Sequence, residues 1–274
     1  MKKIKIHCDS GLPLDLDIRN ERQIELYVDD LNIFNDNSDS IKILVLVEPE
    51  EIKPFADQVI QNHKKVDFIL THNEKILNAC DNAHLFEYGT TWIKDYKFPE
   101  KNFSISHLVG FKTWTKGHRL RQKIWYKQSK IKNPINFYIS KFNQGIDNFA
   151  NAPILEGDKD PLFDSQFHIT IENTYEKNFF SEKVMDAFLT KTVPVYWGCP
   201  NIGDYFNLDG MLIVEDMKDL FKKVNGLTPE IYESMTYAIE DNYHRAQEFA
   251  EISPRMERLL KRIIDEETTS WMRG

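Results

Sequence analysis

Residues 167–206, FHITIENTYEKNFFSEKVMDAFLTKTVPVYWGCPNIGDYF, decide how this chain is read. Phe167, Ile169 and Ile171 alternate with His168 and Thr170, the period of a strand, and Glu172-Asn173 ends the run. Ser181-Glu182-Lys183 then opens a segment in which Val184, Ala187 and Phe188 return at helical spacing, with Ser181 as the N-cap. Residues 192–197 form a second strand, which Gly198-Cys199-Pro200 ends. Strand, helix, strand is the repeating unit of a parallel α/β sheet. In such sheets ligands bind beyond the carboxyl ends of the strands, beside helix N-termini. Glu172, Asn173, Glu182, Lys183, Tyr196 and Gly198 all belong to that edge.

The same alternation extends outward in both directions. MKKIKIHCDSG at the N-terminus reads as a first strand, and residues 41–47, 66–70 and 83–87 as further strands. Helices fit 52–63 and the segment from His72-Asn73 through Cys80. Residues 88–102, with Gly89, Pro99 and several aromatics, read as a linker. A second series follows: strands at 103–108, 136–139 and 211–214, and helices at 117–130, 216–225, 229–250 and 254–267. Residues 141–166 read as irregular. The expected division is a domain over 1–100, a second over 101–250 and a helical tail over 251–274.

Composition narrows the function. With 41% hydrophobic residues the chain can build a sizeable core. A formal net charge of -8 argues against nucleic-acid binding across the whole surface. The cysteines are Cys8, Cys80 and Cys199, an odd, sparse set that suits neither a disulfide scaffold nor a thiolate zinc site. No run is long and apolar enough for a transmembrane segment.

The motif Glu172-Asn173, Ser181-Glu182-Lys183 and Val193-Pro194-Val195-Tyr196-Trp197-Gly198, then Phe206-Asn207, resembles the donor-binding motif of the family-10 α-1,3/1,4-fucosyltransferases. The resemblance implies an α/β fold of the GT-B kind, two Rossmann-like domains facing a cleft. The first would hold a glycan acceptor and the second a nucleotide-sugar donor, GDP-fucose. A single doubly wound sheet would fit the same alternation. The resemblance further implies donor binding by Asn173, Glu182, Lys183, Tyr196 and Gly198, with Glu172 and Phe179 beside them. Without a membrane anchor, the expected form is a soluble microbial or viral one in the cytoplasm, or an isolated catalytic region.

Two more constellations bear on the chemistry. Lys112-Thr113-Trp114-Thr115-Lys116-Gly117-His118-Arg119-Leu120-Arg121 lies between a strand and a helix. The family places an Arg there against the diphosphate; Arg121 is the better positional match and Arg119 the other. Cations suit this task because the departing nucleoside diphosphate gains negative charge. Inverting transfer also needs a base for the acceptor hydroxyl proton. The family has a Glu near the end of an N-terminal-domain strand, and Val45-Leu46-Val47-Glu48-Pro49 fits it, with Glu50 and Glu51 as competitors.

No metal is expected. Asp158-Lys159-Asp160 and Asp15-Leu16-Asp17 match the letters of a DxD, but the first sits in a Gly/Pro loop before Pro161, the second lies near the N-terminus, and two such matches are expected by chance in an Asp-rich chain. The histidines show no HExxH spacing, and no P-loop or GxSxG is present.

Overall fold

The computed structural model describes residues 1–8, 12–93, 98, 100–141 and 145–271, which fall into two units, Met1–Tyr88 with Glu251–Gly274, and Gly89–Ala250. Pro99, in the expected linker, and residues 142–144, in the expected irregular stretch, lie outside the described residues.

The first unit begins with β1 (Lys2–Lys3), β2 (Lys5–Cys8), β3 (Arg19–Asn20) and β4 (Ile24–Val28), and continues with β5 (Ile41–Leu46), β6 (Phe68–Thr71) and β7 (Ala83–Leu85). β1 and β3 form a small antiparallel pair. The others pair in parallel in the order β2-β4-β5-β6-β7. Neighbours in this sheet are also neighbours in sequence. Right-handed crossovers therefore put the connecting helices on one face. There α1 (Ala56–Asn62) and α2 (Glu74–Ala79) cover Leu44, Leu46 and Ile69. α1 starts later than residue 52 because Pro54 disfavours helical geometry in the residue before it.

The second unit contains β8 (Asn102–Val109), β9 (Ile135–Ser140), β10 (Ile154–Leu155), β11 (Ser165–Ile171), β12 (Val193–Trp197) and β13 (Leu212–Ile213). They pair in parallel in the order β10-β9-β8-β11-β12-β13. The chain runs outward from β8 to one edge, returns to β11 and runs to the other. The order therefore reverses between β8 and β11, and the crevice at their carboxyl ends is where a doubly wound sheet binds its ligand. On one face α3 (Lys116–Tyr126) and α5 (Met217–Asn225) bury Ile124, Trp125, Leu220 and Val224 against Ile105, Phe167 and Val195. On the other, α4 (Glu182–Leu189) and α7 (Thr236–Ala250) bury Val184, Met185, Phe188 and Ala246 with Tyr196 and Phe206. The helix expected over 229–250 breaks at Met235, so α6 (Pro229–Ser234) is separate from α7. Part of the stretch expected to be irregular is ordered, as β10 and a 3-10 turn at Asp160–Asp164.

The last helix, α8 (Ile252–Trp271), is no free tail. Ile252, Met256, Leu260, Ile263 and Ile264 recur at helical spacing and pack against Ile24, Leu26, Ile43, Val45 and Leu70. That is the sheet face which α1 and α2 leave uncovered. Burying it explains why the first unit takes back the chain at Glu251.

Candidate active site

The site in the second unit is built around Glu172, the residue after β11, whose amide donates to the Trp197 carbonyl at 2.9 Å. Glu172 is fully buried, and two glycines make room for it. A Cβ on Gly117 would stand 1.7 Å from the Glu172 carbonyl oxygen, and one on Gly198 2.5 Å from its Cγ. No other residue fits at either place without moving backbone or a buried side chain. Gly117 closes the contact by donating its amide to the Asn173 carbonyl at 3.0 Å. This seats the N-terminus of α3, capped by Thr115, at the switch point between β8 and β11.

Polar side chains converge there. Ser181, the N-cap of α4, gives Glu172 its amide at 2.9 Å and its hydroxyl at 2.6 Å. Lys183 Nζ donates to Ser181 Oγ at 3.1 Å and to Glu182 Oε1 at 3.0 Å, and lies 3.9 Å from Glu172 Oε2. Arg121 donates to the carbonyl oxygens of Ile171 and Glu172 and, at 3.0 Å, to Asn173 Oδ1. Lys159 reaches in from the 3-10 turn region, 3.6 Å from Glu182 and 3.7 Å from Asp186. Asp186 in turn accepts from the Thr91 hydroxyl at 2.7 Å and the Trp92 amide at 3.0 Å.

Charge follows from this packing. Burial alone would raise Glu182, but Lys183 and Lys159 outweigh it and hold the carboxyl down to about 2. Burial would likewise lower Lys183, yet Glu182 and Glu172 keep its ammonium above the ordinary value. Glu172 and Asp186 are pushed up by burial, Asp186 to about 6. Burial and the neighbouring Arg121 and Lys183 push His118 down to about 3. His118 is therefore neutral, and its Nδ1 completes the Thr115 capping box by accepting the Thr115 amide at 3.2 Å. What remains is a strand-end crevice with two cations, Arg121 and Lys183, beside an ionised Glu182. Next to it opens a pocket of about 650 Å³, lined by Lys116, Tyr175, Trp197, Gly198, Asn201 and Glu215 among others.

The structure thus brings together Arg121, Glu172, Asn173, Glu182, Lys183 and Gly198. Tyr196 lies beneath them, 1% exposed, its hydroxyl accepting the Cys199 amide at 2.9 Å. It supports the strand end and lies at the wall of that pocket. Phe179 is buried as well. Arg119 does not join the cluster: it turns back to the carbonyls of Thr113 and Trp114, both at 3.0 Å. In the first unit Glu48 follows the end of β5, and Glu50 Oε2 accepts the Ala56 amide at the start of α1. Sequence reasoning quoted Gly117 and Lys159 without giving either a role, and passed over Asp29. Only Asp29 had a visible signal, an acidic residue after Ile24–Val28, where Ile24, Leu26 and Val28 alternate with Glu25 and Tyr27. Among the described residues no three His, Cys, Asp or Glu side chains converge as a metal site, and no helix is long and apolar enough to cross a membrane.

The architecture is that of the GT-B glycosyltransferases. Among solved structures, the chain superposes on TarM with a TM-score of 0.58 at 16% identity, covering 87% of this chain and 54% of that one. An α,α-trehalose-phosphate synthase (UDP-forming) from Burkholderia xenovorans gives 0.57 at 11% identity over 89% and 73%. An α1,3-fucosyltransferase with GDP-fucose gives 0.52 at 14% identity over 78% and 68%. No protein-family model matches. In sequence, a 60-residue stretch is 32% identical to the α-(1,3)-fucosyltransferase FucT of Helicobacter pylori. That stretch is 22% of this chain and 13% of the curated relative.

Proposed function

We propose that this protein is an inverting glycosyltransferase that moves fucose from GDP-fucose to a hydroxyl of a glycan. The observation that carries the reading is the Glu172–Ser181–Lys183–Glu182 cluster with Arg121 at the switch point. Arg121 and Lys183 face the diphosphate, Glu182 accepts from the donor's hydroxyls, and the pocket beside Trp197 takes the nucleoside. Glu48 removes the proton from the acceptor hydroxyl as its oxygen attacks the anomeric carbon. The bond from that carbon to the β-phosphate oxygen breaks, and GDP leaves with its new charge held by the two cations. Configuration inverts because one displacement occurs. The stretch shared with the Helicobacter pylori enzyme favours fucose.

A second reading keeps the scaffold and changes the donor. The fold likeness to a UDP-forming synthase supports it. Thermal shift with GDP, UDP and CDP, then acceptor-free hydrolysis of their sugars, tests both. GDP-selective stabilisation and slow GDP-fucose hydrolysis are expected. A response confined to UDP and its sugars replaces the fucosyl reading with the second. No response to any nucleotide removes both and leaves a glycan-binding module.

A further inference from the structure

Strand β5 ends at Leu46, so the sheet ladder does not hold the residues that carry Glu48. The neighbouring strand supplies the hold. β4 ends at Val28, and the next residue, Asp29, turns into the left-handed region with φ of 51°. Asp29 is 4% exposed, and its carboxylate accepts the Val47 amide at 3.0 Å and the Glu48 amide at 3.3 Å. Its own amide donates to the Val45 carbonyl at 2.8 Å, and its carbonyl accepts from Lys53 Nζ at 3.0 Å. Side chain and both backbone groups of Asp29 thus bind the β5–α1 connection. His72, buried just past β6, adds a further electrostatic influence on the carboxylate.

This arrangement is costly. Burial disfavours the ionised carboxyl, and a left-handed turn suits glycine better than aspartate. A glycine would make the turn alone, but it could not accept two amides.

We propose that Asp29 is a positioning residue for Glu48. It fixes the Glu48 backbone so that the carboxylate is presented to the acceptor hydroxyl in one orientation. The proposal rests on the reading of Glu48 as the general base. Asp29 touches no reacting atom and acts only through Glu48.

Kinetics of Asp29→Asn test this. Asparagine tolerates the left-handed turn but loses the anionic acceptor. Transfer kcat is expected to fall by about 10- to 100-fold, the scale of a slightly misplaced catalytic group. The donor KM and the Kd of GDP stay at wild type. Asp29→Gly, which suits the φ and so protects folding, should show the same split. In a Glu48→Gln background, Asp29→Asn should cost nothing further, because the carboxylate it orients is gone. Wild-type kcat in both Asp29 variants overturns the proposal. So does a loss that adds in full to that of Glu48→Gln, or one that moves kcat, KM and melting together. Wild-type transfer by Glu48→Gln removes the base assignment and the positioning role with it. An inactive Glu48→Gln beside a full-rate Asp29→Asn removes the positioning role alone.

Discussion

Ser181 and Glu172 are joined twice: the Ser181 amide donates to one Glu172 oxygen at 2.9 Å and its hydroxyl to the other at 2.6 Å. One residue ends a strand and the other caps a helix, so this pair fixes the start of α4 to the end of β11. Ser181→Ala removes the hydroxyl bond and the cap it gives the Lys183 amide. A cap is worth about 1 kcal/mol and a bond to a charged group about 1.5–3 kcal/mol. Urea denaturation should show a loss of about 2.5–4 kcal/mol on those figures. An unchanged midpoint would mean the pair is not stabilising.

The cations should separate cleanly in nucleotide binding. Lys183→Ala is expected to weaken GDP about 10- to 100-fold, the value of one charge-assisted contact. Arg121→Ala should lose as much and also lower the melting temperature, because Arg121 ties Ile171, Glu172 and Asn173 to α3. Arg119→Ala should bind GDP as wild type does, since its guanidinium turns back to the carbonyls of its own loop and lies outside the cluster at the end of β11. Calorimetric titration decides among them, and a damaging Arg119→Ala with a silent Arg121→Ala would reverse the assignment.

For Glu48, Glu48→Gln keeps the shape and removes the proton acceptor. Transfer should fall about 10²–10⁴-fold, with GDP affinity unchanged and the acidic limb of the pH–rate profile flattened. Loss in Glu50→Gln instead is not expected, because that carboxylate is already engaged at the α1 amide.

Asp186 makes stability depend on pH. Its folded pKa, about 6, lies above the ordinary 3.8 because of burial. Between these values the folded state keeps a proton that the unfolded chain has lost. Stability therefore falls as pH rises through that window, and the loss is complete above about 6. The full effect is on the order of 3 kcal/mol. Glu182 works the other way, its stabilisation being lost as pH falls from 4.5 towards 2. Asp186→Asn should therefore gain on wild type between pH 4 and pH 7 in parallel melting series. Parallel curves across that range would show that Asp186 does not titrate in the folded protein.

The strand–helix–strand unit at 167–206 was legible because its information is local: a two-residue period, a serine cap, a helical period, then a strand that Gly198 closes. The enclosure of Glu172 was not. It depends on the register of β8 and α3 against β11, which brings Gly117 beside a carbonyl 55 positions away. Lys159 was hidden for the same reason, in a stretch with no periodicity of its own. The spacing of Ile252, Met256 and Leu260 announced a helix with an apolar face, but not which sheet that face covers. β4 went unread although Ile24, Leu26 and Val28 alternate with Glu25 and Tyr27 at strand period; the sheet buries Glu25, which pairs with Lys5 and His7. Tyr196 and Phe179 carry motif letters yet are buried; a motif records identity and not exposure.

The place of α8 makes the second unit an insertion within the first. During synthesis the second unit can complete its sheet while one face of the first remains bare. That face, with Ile24, Leu26, Ile43 and Val45, is sealed only when residues 252–264 emerge. The half that begins first is thus the half that finishes last, and its open apolar sheet is the surface a chaperone would have to guard in the interval.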